Sequence, residues 1–420
     1  MNFTFSKRAR SISMALIVLG ALATIIGIIG DDSPHHQRSW SNLLVNGFFF
    51  LGISLGALFF YALQNATETA WSVLARRVYE GIFGYLPVGA VVIGIVLLAG
   101  TFHWHHIYHW MDSALFHPYV IEGTSEYTDD ASEPGAVANP FYDKIVAGKR
   151  AFLNLPFFWI RSLVYLGVFL WFANWFRNLS LKMDHMSGDT LVRTHLLKYR
   201  RSALFLVFFA VFSSTLAWDW IMSIDVHWFS TLFGWYVFSG MWVSAMTVSV
   251  ILVLYLKRKG YLPQVNSSHI HDMGKWVFAV SFLWSYLYFS QFMLIWYSNI
   301  PEEVIYFTQR INNYPALLWT TFAINFAVPM LLLMSRDAKR NPRFLIGVGT
   351  VIIIGHWLDT IMMVMPSTVS HFFHGIGLLE AGMFTAFLGI FMYVVLNTLT
   401  KAPLSPVAHP YLEESVHHHI

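Results

Sequence analysis

Residues 84–102 read GYLPVGAVVIGIVLLAGTF, an apolar run without a single charged side chain. An α-helix needs about 20 consecutive apolar residues to cross the hydrocarbon core of a bilayer, which is roughly 30 Å thick. The run therefore predicts a membrane-spanning helix. A spanning β-strand would alternate apolar and polar residues, and this run does not alternate.

Nine further runs of the same kind lie along the chain, so the sequence predicts an all-α protein with ten transmembrane helices. Asp31-Asp32-Ser33-Pro34 follows the first run without a small-residue cleavage pattern, so we interpret that run as a retained helix and not as a signal peptide. The expected spans are residues 12–30, 43–63, 84–102, 155–176, 203–223, 232–256, 274–297, 315–334, 344–364 and 374–396.

The composition supports lipid as the solvent of this chain. Of its 420 residues, 56% are hydrophobic and only 12% are charged, whereas soluble domains carry about 25% charged residues. The net charge of +3 comes without a basic run, which argues against nucleic acid as a partner. The chain has no cysteine, so it can form no disulfide, thiolate zinc site or cysteine-ligated iron–sulfur cluster of its own.

The distribution of Lys and Arg predicts the orientation of the spans. Most of the 26 basic residues fall in alternate connections, around residues 7–10, 76–77, 177–201, 257–275, 336–343 and 401. Short cytoplasmic loops are the ones enriched in positive charge. We therefore expect both termini to be cytoplasmic.

Two connections are longer than turns. Residues 66–82 have Trp71 and Val78 on one helical face and Arg76 and Glu80 on the other, which predicts an amphipathic helix at the membrane interface. Residues 103–154 form a long external loop. Loops of that length usually serve function or bind a partner. The chain otherwise forms a single polytopic membrane domain.

Ionisable residues inside the spans are the main pointers to function, because a charge within a bilayer is costly. The expected topology places one such set in the outer half of the membrane. Arg161 is its only cation, and one alternative is that it pairs with an acid to lock two helices together. The other alternative is a cluster that takes up and releases protons. The set consists of Arg161, Asp219, His356, Asp359 and Glu380.

A second titratable set lies at the inner side, with hydroxyl side chains between the two sets. Hydroxyls at helical spacing usually bond to their own helix or to a neighbour. Because titratable groups flank the stripe at both ends, a proton path is the alternative interpretation. The inner set is Glu68, His271, Asp272 and Lys275, and the hydroxyls that join it to the outer set are Ser244, Ser281 and Ser285.

Four histidines fall within HWHHIYHW at residues 103–110. An aromatic-rich stretch at a membrane boundary is typical of interfacial or partner packing, and a metal site would need converging ligands. We therefore predict no metal here. Bis-histidine haem would need two deep histidines on facing helices, and His356 is the only clear deep one.

Two stretches are distinctive: WDWIMSIDVHWFSTLFGWYVFSG at 218–240 and HDMGKWVFAVSFLWSYLYFSQFMLIWYSNIPEE at 271–303. With the loop FHPYVIEGTSEYTDDASEPGAVANPFYDK at 116–144, they resemble the ActF subunits of bacterial alternative complex III, a quinol:cytochrome c oxidoreductase. The resemblance covers nearly the whole chain. It extends to the NrfD/PsrC-type membrane subunits.

The resemblance implies two four-helix bundles in opposite orientation, with the first and last spans outside them. It implies a bacterial inner membrane complex that oxidises menaquinol and passes electrons to cytochrome c or directly to a terminal oxidase. Haem c and iron–sulfur clusters would reside on partner subunits, namely c-type cytochrome subunits and an iron–sulfur subunit beside an ActC-like paralogue. This chain would bind no cofactor itself, with menaquinone as a possible exception.

The sequence thus favours a membrane subunit that anchors such a complex in lipid and provides proton half-channels. The outer half-channel would use Asp219, His356, Asp359 and Glu380, with Arg161 tuning them. Three alternatives remain: a purely structural scaffold, a subunit that itself oxidises quinol, and an independent secondary transporter. The transporter would require helices broken by Gly or Pro, for which Pro315 and Pro329 are the only hints.

Overall fold

A computed structural model of the chain describes residues 3–373 and 375–419. Ten helical segments within them are long and apolar enough to cross a membrane, which confirms the predicted all-α, multi-span architecture. The helices are α1 (Lys7–Ile29), α2 (Gln37–Ala66), α3 (Arg76–Phe83), α4 (Leu86–Thr101), α5 (Lys144–Gly148), α6 (Leu155–Met183), α7 (Gly188–Trp220), α8 (Phe233–Arg258), α9 (Ser267–Ser298), α10 (Pro301–Asn313), α11 (Pro315–Phe322), α12 (Val328–Leu332), α13 (Arg336–Arg340), α14 (Pro342–Thr368), α15 (Leu378–Leu399) and α16 (Leu412–Val416).

Helix α2 lies at the centre of the molecule and packs against α4, α7, α8, α14 and α15. Its side chains are almost all buried, including Asn42, Asn46 and Ser54. On one side, α4 and α7 pack against α2, and α6 contacts α4 and α7. On the other side, α8 packs against α9 and α14, and α11 packs against α14. This second group carries the deep His356 and Asp359.

Helices α1 and α15 form a closely packed pair that joins the rest through α15. A Cβ atom on Gly20 would lie 2.3 Å from the backbone nitrogen of Ala386, and one on Gly382 would lie 2.7 Å from the Cβ of Ala23. Only glycine permits backbones to approach this closely, which is a common packing mode of membrane helices.

The segment at 66–82 differs from its prediction. Its helix is shorter, with a 3₁₀ turn at Val73–Ala75 followed by α3. All residues of α3 are buried, and Arg77 pairs there with Glu80 at 2.9 Å and with Asp184 at 2.6 Å. The amphipathic pattern therefore reflects an internal ion-pair network and not a face turned to lipid headgroups.

Two other elements differ from the regular spans expected from the sequence. Helix α7 begins at Gly188 and not near 203, because a polar segment continues the helix and buries His195, Lys198 and Ser202 along one face. Between α11 and α12, residues Ala323–Ala327 form a π-helical turn. Turns of this kind widen a helix locally and often occur at functional sites.

The two faces of the bundle differ in what covers them. Thr4 bonds Tyr261 at 2.7 Å, and His418 bonds Asp272 at 2.6 Å, so both ends of the described chain lie near the start of α9. We call this side the terminal face. Residues 102–154 cover the opposite side, the loop face, with a three-stranded antiparallel sheet of order β2-β1-β3. Its strands are β1 (Tyr119–Ile121), β2 (Tyr127–Thr128) and β3 (Ala136–Ala138).

Candidate functional site

The deepest carboxylate of the second helix group is Asp359 on α14, which is only 2% exposed. It accepts hydrogen bonds from the Tyr236 hydroxyl on α8 and from Trp284 Nε1 on α9, the latter at 3.1 Å. Within the described residues, no lysine or arginine forms an ion pair with it. A buried carboxylate without a cation is costly to ionise, so this group is suited to hold a proton.

His356 lies one turn before Asp359 on the same helix and is also buried. Neither of its ring nitrogens has a hydrogen-bond partner among the described residues. The ring of Trp284 lies edge-on to it, with the centroids 5.5 Å apart. A neutral imidazole offers one donor and one acceptor, so His356 is free to bond to a water molecule beside Asp359.

Two small cavities flank Asp359, each of about 20 Å³. A volume of that size holds about one water molecule. The first cavity lies toward the loop face and the second also contacts His356. The residues with polar side-chain groups that line the first cavity are Tyr236, Trp284, Tyr288, Gln291, Tyr306, Arg310, Thr321 and Asp359. Those that line the second cavity are Ser244, His356, Asp359 and Thr360, beside Gly240.

A much larger cavity of about 590 Å³ opens at the loop face, and we call it the vestibule. Burial lowers the pKa of His106 and of His109, so both imidazoles favour the neutral form. The vestibule is thus a wide polar cavity with groups that can accept protons. Its titratable lining residues are His103, His106, Tyr108, His109, Asp112, Tyr127, Asp143, Asp225, His227, Glu302 and Tyr306.

A stack of three side chains separates the vestibule from the first cavity. The rings of Trp228 and Tyr306 lie 3.9 Å apart at an interplanar angle of 11°. The guanidinium carbon of Arg310 lies 3.3 Å from the centre of the Tyr306 ring. Burial raises the pKa of Tyr306 to about 12, although Arg310 acts in the opposite direction, so the hydroxyl stays protonated. Because Tyr306 lines both cavities, it is the contact point between them.

Backbone carbonyls of α14 hold Arg310 in this stack. Its Nε donates to the carbonyl of Met362 at 3.0 Å, and its Nη2 donates to Ser367 Oγ at 3.0 Å. Pro366 follows Met362 by four residues and has no N–H, so the Met362 carbonyl lacks its helical donor. Sequence reasoning missed Arg310, because it lies in the connection between the expected spans 274–297 and 315–334. The available signal for a free carbonyl was Pro366, which lies two residues beyond the expected span 344–364 and inside the observed helix α14.

The remaining outer residues are not joined to Asp359. Arg161 donates to Asp219 twice, from Nε at 2.8 Å and from Nη2 at 2.7 Å, and the Tyr165 hydroxyl donates to the same carboxylate at 2.8 Å. The guanidinium of Arg161 also lies 3.9 Å from the ring centre of Phe152. This geometry corresponds to the structural alternative, a buried ion pair between α6 and α7.

Glu380 is likewise part of a separate ion pair. Arg38 donates to it from Nε at 2.8 Å and from Nη2 at 2.9 Å, and Asn42 donates at 3.0 Å. The backbone N–H of Gly377 donates at 2.8 Å, which makes Glu380 part of the cap of α15. The five outer residues therefore occupy three separate places: Arg161 with Asp219, Glu380 with Arg38, and His356 with Asp359.

The inner residues also lie in two separate clusters. Glu68 lies 3.4 Å from His195 Nε2 and accepts from the Tyr411 hydroxyl at 3.4 Å. Asp272 pairs instead with Lys275 at 2.5 Å and with His418 at 2.6 Å. Residues 402–419 touch both clusters, so this C-terminal segment covers the terminal face.

His271 is buried at the terminal face, near the second of these clusters. The three hydroxyls donate within their own helices: Ser244 to Gly240, Ser281 to Val277 and Ser285 to Ser281, each at 2.8 Å. These are the bonds to the hydroxyl's own helix that are usual for serines at helical spacing. Only Ser244 also lines a cavity next to Asp359.

The described residues contain no group of three or more histidine or acidic side chains that could hold a metal ion. Of the histidines at 103–110, His105 is buried and bonds the Val96 carbonyl at 2.9 Å. His103, His106 and His109 line the vestibule.

No model of a known protein family matches the chain, and a search of the curated proteins finds no match either.

Proposed function

We propose that this chain is a proton-conducting membrane subunit of a quinol-oxidising respiratory complex. The observation that carries the proposal is the position of Asp359. It is a buried carboxylate without a cationic partner among the described residues, and it lies between two cavities of about 20 Å³ each. Intramembrane acids of this kind commonly mark proton relays.

The proposed outer half-channel runs from the vestibule past Tyr306 into the first cavity and on to Asp359. Protons would enter or leave through the histidines and acids of the vestibule. Arg310 carries a fixed positive charge beside this route. Such a charge repels metal cations, whereas a proton can still pass along hydroxyls and water. Asp359 would hold the proton, with His356 as its neighbour across the second cavity.

The electron-transfer part of the proposal rests on the resemblance to alternative complex III. In that role the chain would hold the complex in the bacterial inner membrane, with both termini cytoplasmic. Haem c and iron–sulfur clusters would belong to partner subunits, and menaquinol would be the electron donor. The ion pairs Arg161–Asp219 and Arg38–Glu380 would serve as scaffold within the same subunit.

Two experiments test the proposal. The first purifies the chain in mild detergent through a tag and records a reduced-minus-oxidised spectrum, with mass spectrometry of the proteins that accompany it. A c-type haem spectrum with iron–sulfur and cytochrome partners is expected. A colourless protein without partners would contradict membership of such a complex.

The second experiment reconstitutes the purified assembly in liposomes and follows quinol oxidation together with proton movement, using a pH-sensitive dye. We expect Asp359→Asn to slow proton transfer by about 100-fold or more, because it removes a positioned proton carrier. Glu133→Gln, an exposed loop substitution, is the matched control and should leave both rates unchanged. Unchanged proton transfer in Asp359→Asn would refute the half-channel.

A second candidate function is quinol oxidation by this chain itself. The volume of the vestibule, about 590 Å³, favours it, because small-molecule sites typically measure about 300–1,000 Å³. Photolabelling with an azido-quinone separates the two candidates. Label on Tyr306 or Gln309 that excess quinol displaces would assign the vestibule to quinol, whereas label confined to partner subunits would exclude it.

A further inference from the structure

Lys198 on α7 is completely buried and plays no part in the half-channel proposed above. Its Nζ has no hydrogen-bond partner among the described residues. The nitrogen lies 4.7 Å from the centre of the Tyr61 ring. A buried ammonium normally satisfies its three N–H donors, so this environment does not suit a permanently charged lysine.

The negative charges around Lys198 are already balanced without it. Arg77 pairs with Glu80 at 2.9 Å and with Asp184 at 2.6 Å, so one guanidinium occupies both nearby carboxylates. Arg76 adds a second fixed cation and donates to Asn65 at 2.6 Å. Arginine is always protonated in proteins. With Arg177 nearby as well, three arginines outnumber the carboxylates Glu80 and Asp184, so no negative charge is left for an ammonium at Lys198.

Other titratable groups face this pocket from every element that packs against it. His195 lies one turn before Lys198 on α7, and His409 approaches from the C-terminal segment with its ring centre 5.1 Å from that of His195. Among the described residues, the titratable neighbours are Tyr61 on α2, Glu68 after α2, Arg76, Arg77 and Glu80 on α3, Arg177 on α6, Asp184 after α6, His195 on α7, and His409 and Tyr411 in the C-terminal segment.

A short polar route joins Lys198 to the terminal face. The side chain of Glu68 is 40% exposed and lies 3.4 Å from His195 Nε2. Beyond Lys198, the Ser202 hydroxyl is buried and has no partner among the described residues. The route ends there, because Phe172, Phe205 and Phe209 pack together above it.

We propose that Lys198 is a neutral amine in the resting protein and the proton acceptor at the closed end of a second half-channel. A proton from water at the terminal face would pass from Glu68 to His195 and then to the lysine nitrogen, which becomes an ammonium. It leaves by the same route. The neutrality of Lys198 stands by itself, whereas its role as acceptor rests on the proposed proton-conducting function.

Thermal unfolding of the purified full-length protein tests the neutrality. Lys198→Met keeps an unbranched side chain of similar size but removes the amine. The Tm should therefore equal or exceed that of the wild type. Lys198→Arg forces a permanent charge into the pocket and should lower the Tm by several degrees. Lys182→Met, at an exposed lysine of α6, is the matched control. A stable Lys198→Arg together with an unstable Lys198→Met would refute the proposal, because it would show a structural cation.

Rapid proton uptake in a single turnover, followed with a pH-sensitive dye on the side of the terminal face, tests the acceptor role, because a proton that returns by the same route adds nothing to net transport. We expect Lys198→Met to reduce uptake from the terminal face by about tenfold or more while the assembly stays intact. Normal uptake in Lys198→Met, when Asp359→Asn is impaired, would refute the second half-channel alone. Normal uptake in both variants would refute the proton-conducting function itself.

Discussion

Arg310 Nε donates a 3.0 Å hydrogen bond to the carbonyl oxygen of Met362, one turn below the proline that leaves this carbonyl without a helical donor. The bond ties the short α10 helix to the spanning α14. It also fixes the guanidinium between the vestibule and the cavity next to Asp359. A sequence feature that weakens one helix thus anchors another at the entrance to the candidate site.

Replacement of Arg310 by lysine should destabilise the protein. A lysine cannot reproduce the planar set of donors that satisfies the carbonyls of Tyr306 and Met362 and the hydroxyl of Ser367. Each buried acceptor left without a donor costs about 1–3 kcal/mol, so we expect a loss of roughly 3 kcal/mol in the free energy of unfolding. Denaturation by SDS titration would measure it, with Arg343→Lys at an exposed position as the control.

The pair Arg161–Asp219 should behave as structure and not as a proton path. Asp219→Asn leaves the buried guanidinium without its charge partner, and loss of one member of a buried pair costs about 3–5 kcal/mol. The double variant Arg161→Met/Asp219→Leu should recover much of that loss, because it removes both charges. An Asp219→Asn protein with wild-type stability and slow proton transfer would show instead that Asp219 carries protons.

Gly355 permits the close approach of α14 to the π-helical turn. A Cβ atom at this position would lie 2.2 Å from Asn325 Oδ1 and 2.4 Å from Ile324 Cγ2. Gly355→Ala should therefore cost about 1–3 kcal/mol through overpacking and displace the adjacent His356, with reduced proton transfer.

Gly347 on the same helix is the matched control for Gly355. A Cβ atom there would have no heavy atom within 4 Å. Gly347→Ala should be neutral or stabilising by about 0.5–1 kcal/mol, since alanine favours helix. Equal stability of the two alanine variants would contradict the packing argument.

Docking of the C-terminal segment should weaken as the pH falls. Burial lowers the pKa of His409, and the positive charge of Arg76 adds to the effect. When the segment is released, His409 regains its ordinary pKa of about 6.5. The released form therefore binds a proton that the docked form does not, so docking is strongest above about pH 6.5 and is lost progressively below it.

Hydrogen exchange of residues 402–416 at several pH values would measure this loss. His409→Gln cannot titrate, so its exchange should vary with pH only as the chemical exchange rate does. Slower exchange of the wild-type segment at low pH, after that correction, would contradict the prediction.

The sequence predicted the spans well, because continuous apolar runs record burial in lipid directly. It was weaker where polar residues continue a helix. The first turns of α7 read as loop, since Lys198 and Arg200 interrupt the apolar pattern, yet the lysine is buried by the three-dimensional ion-pair network around α3.

The candidate site could be predicted only in part. His356 and Asp359 are one turn apart, so helical spacing alone places them together. The partners of Asp219 and Glu380 could not be read in this way, because Arg161 and Arg38 lie on other helices. Pairing between helices depends on how the bundle packs, and no sequence period records that.

The close pairing of α1 with α15 has a consequence for the synthesis of the protein. The contacts of Gly20 with Ala386 and of Gly382 with Ala23 join the first span to the last. During translation, the first span enters the bilayer long before its partner exists. It therefore waits in lipid until residues 378–399 have been inserted, so the α1–α15 pair can form only late in the synthesis of these spans.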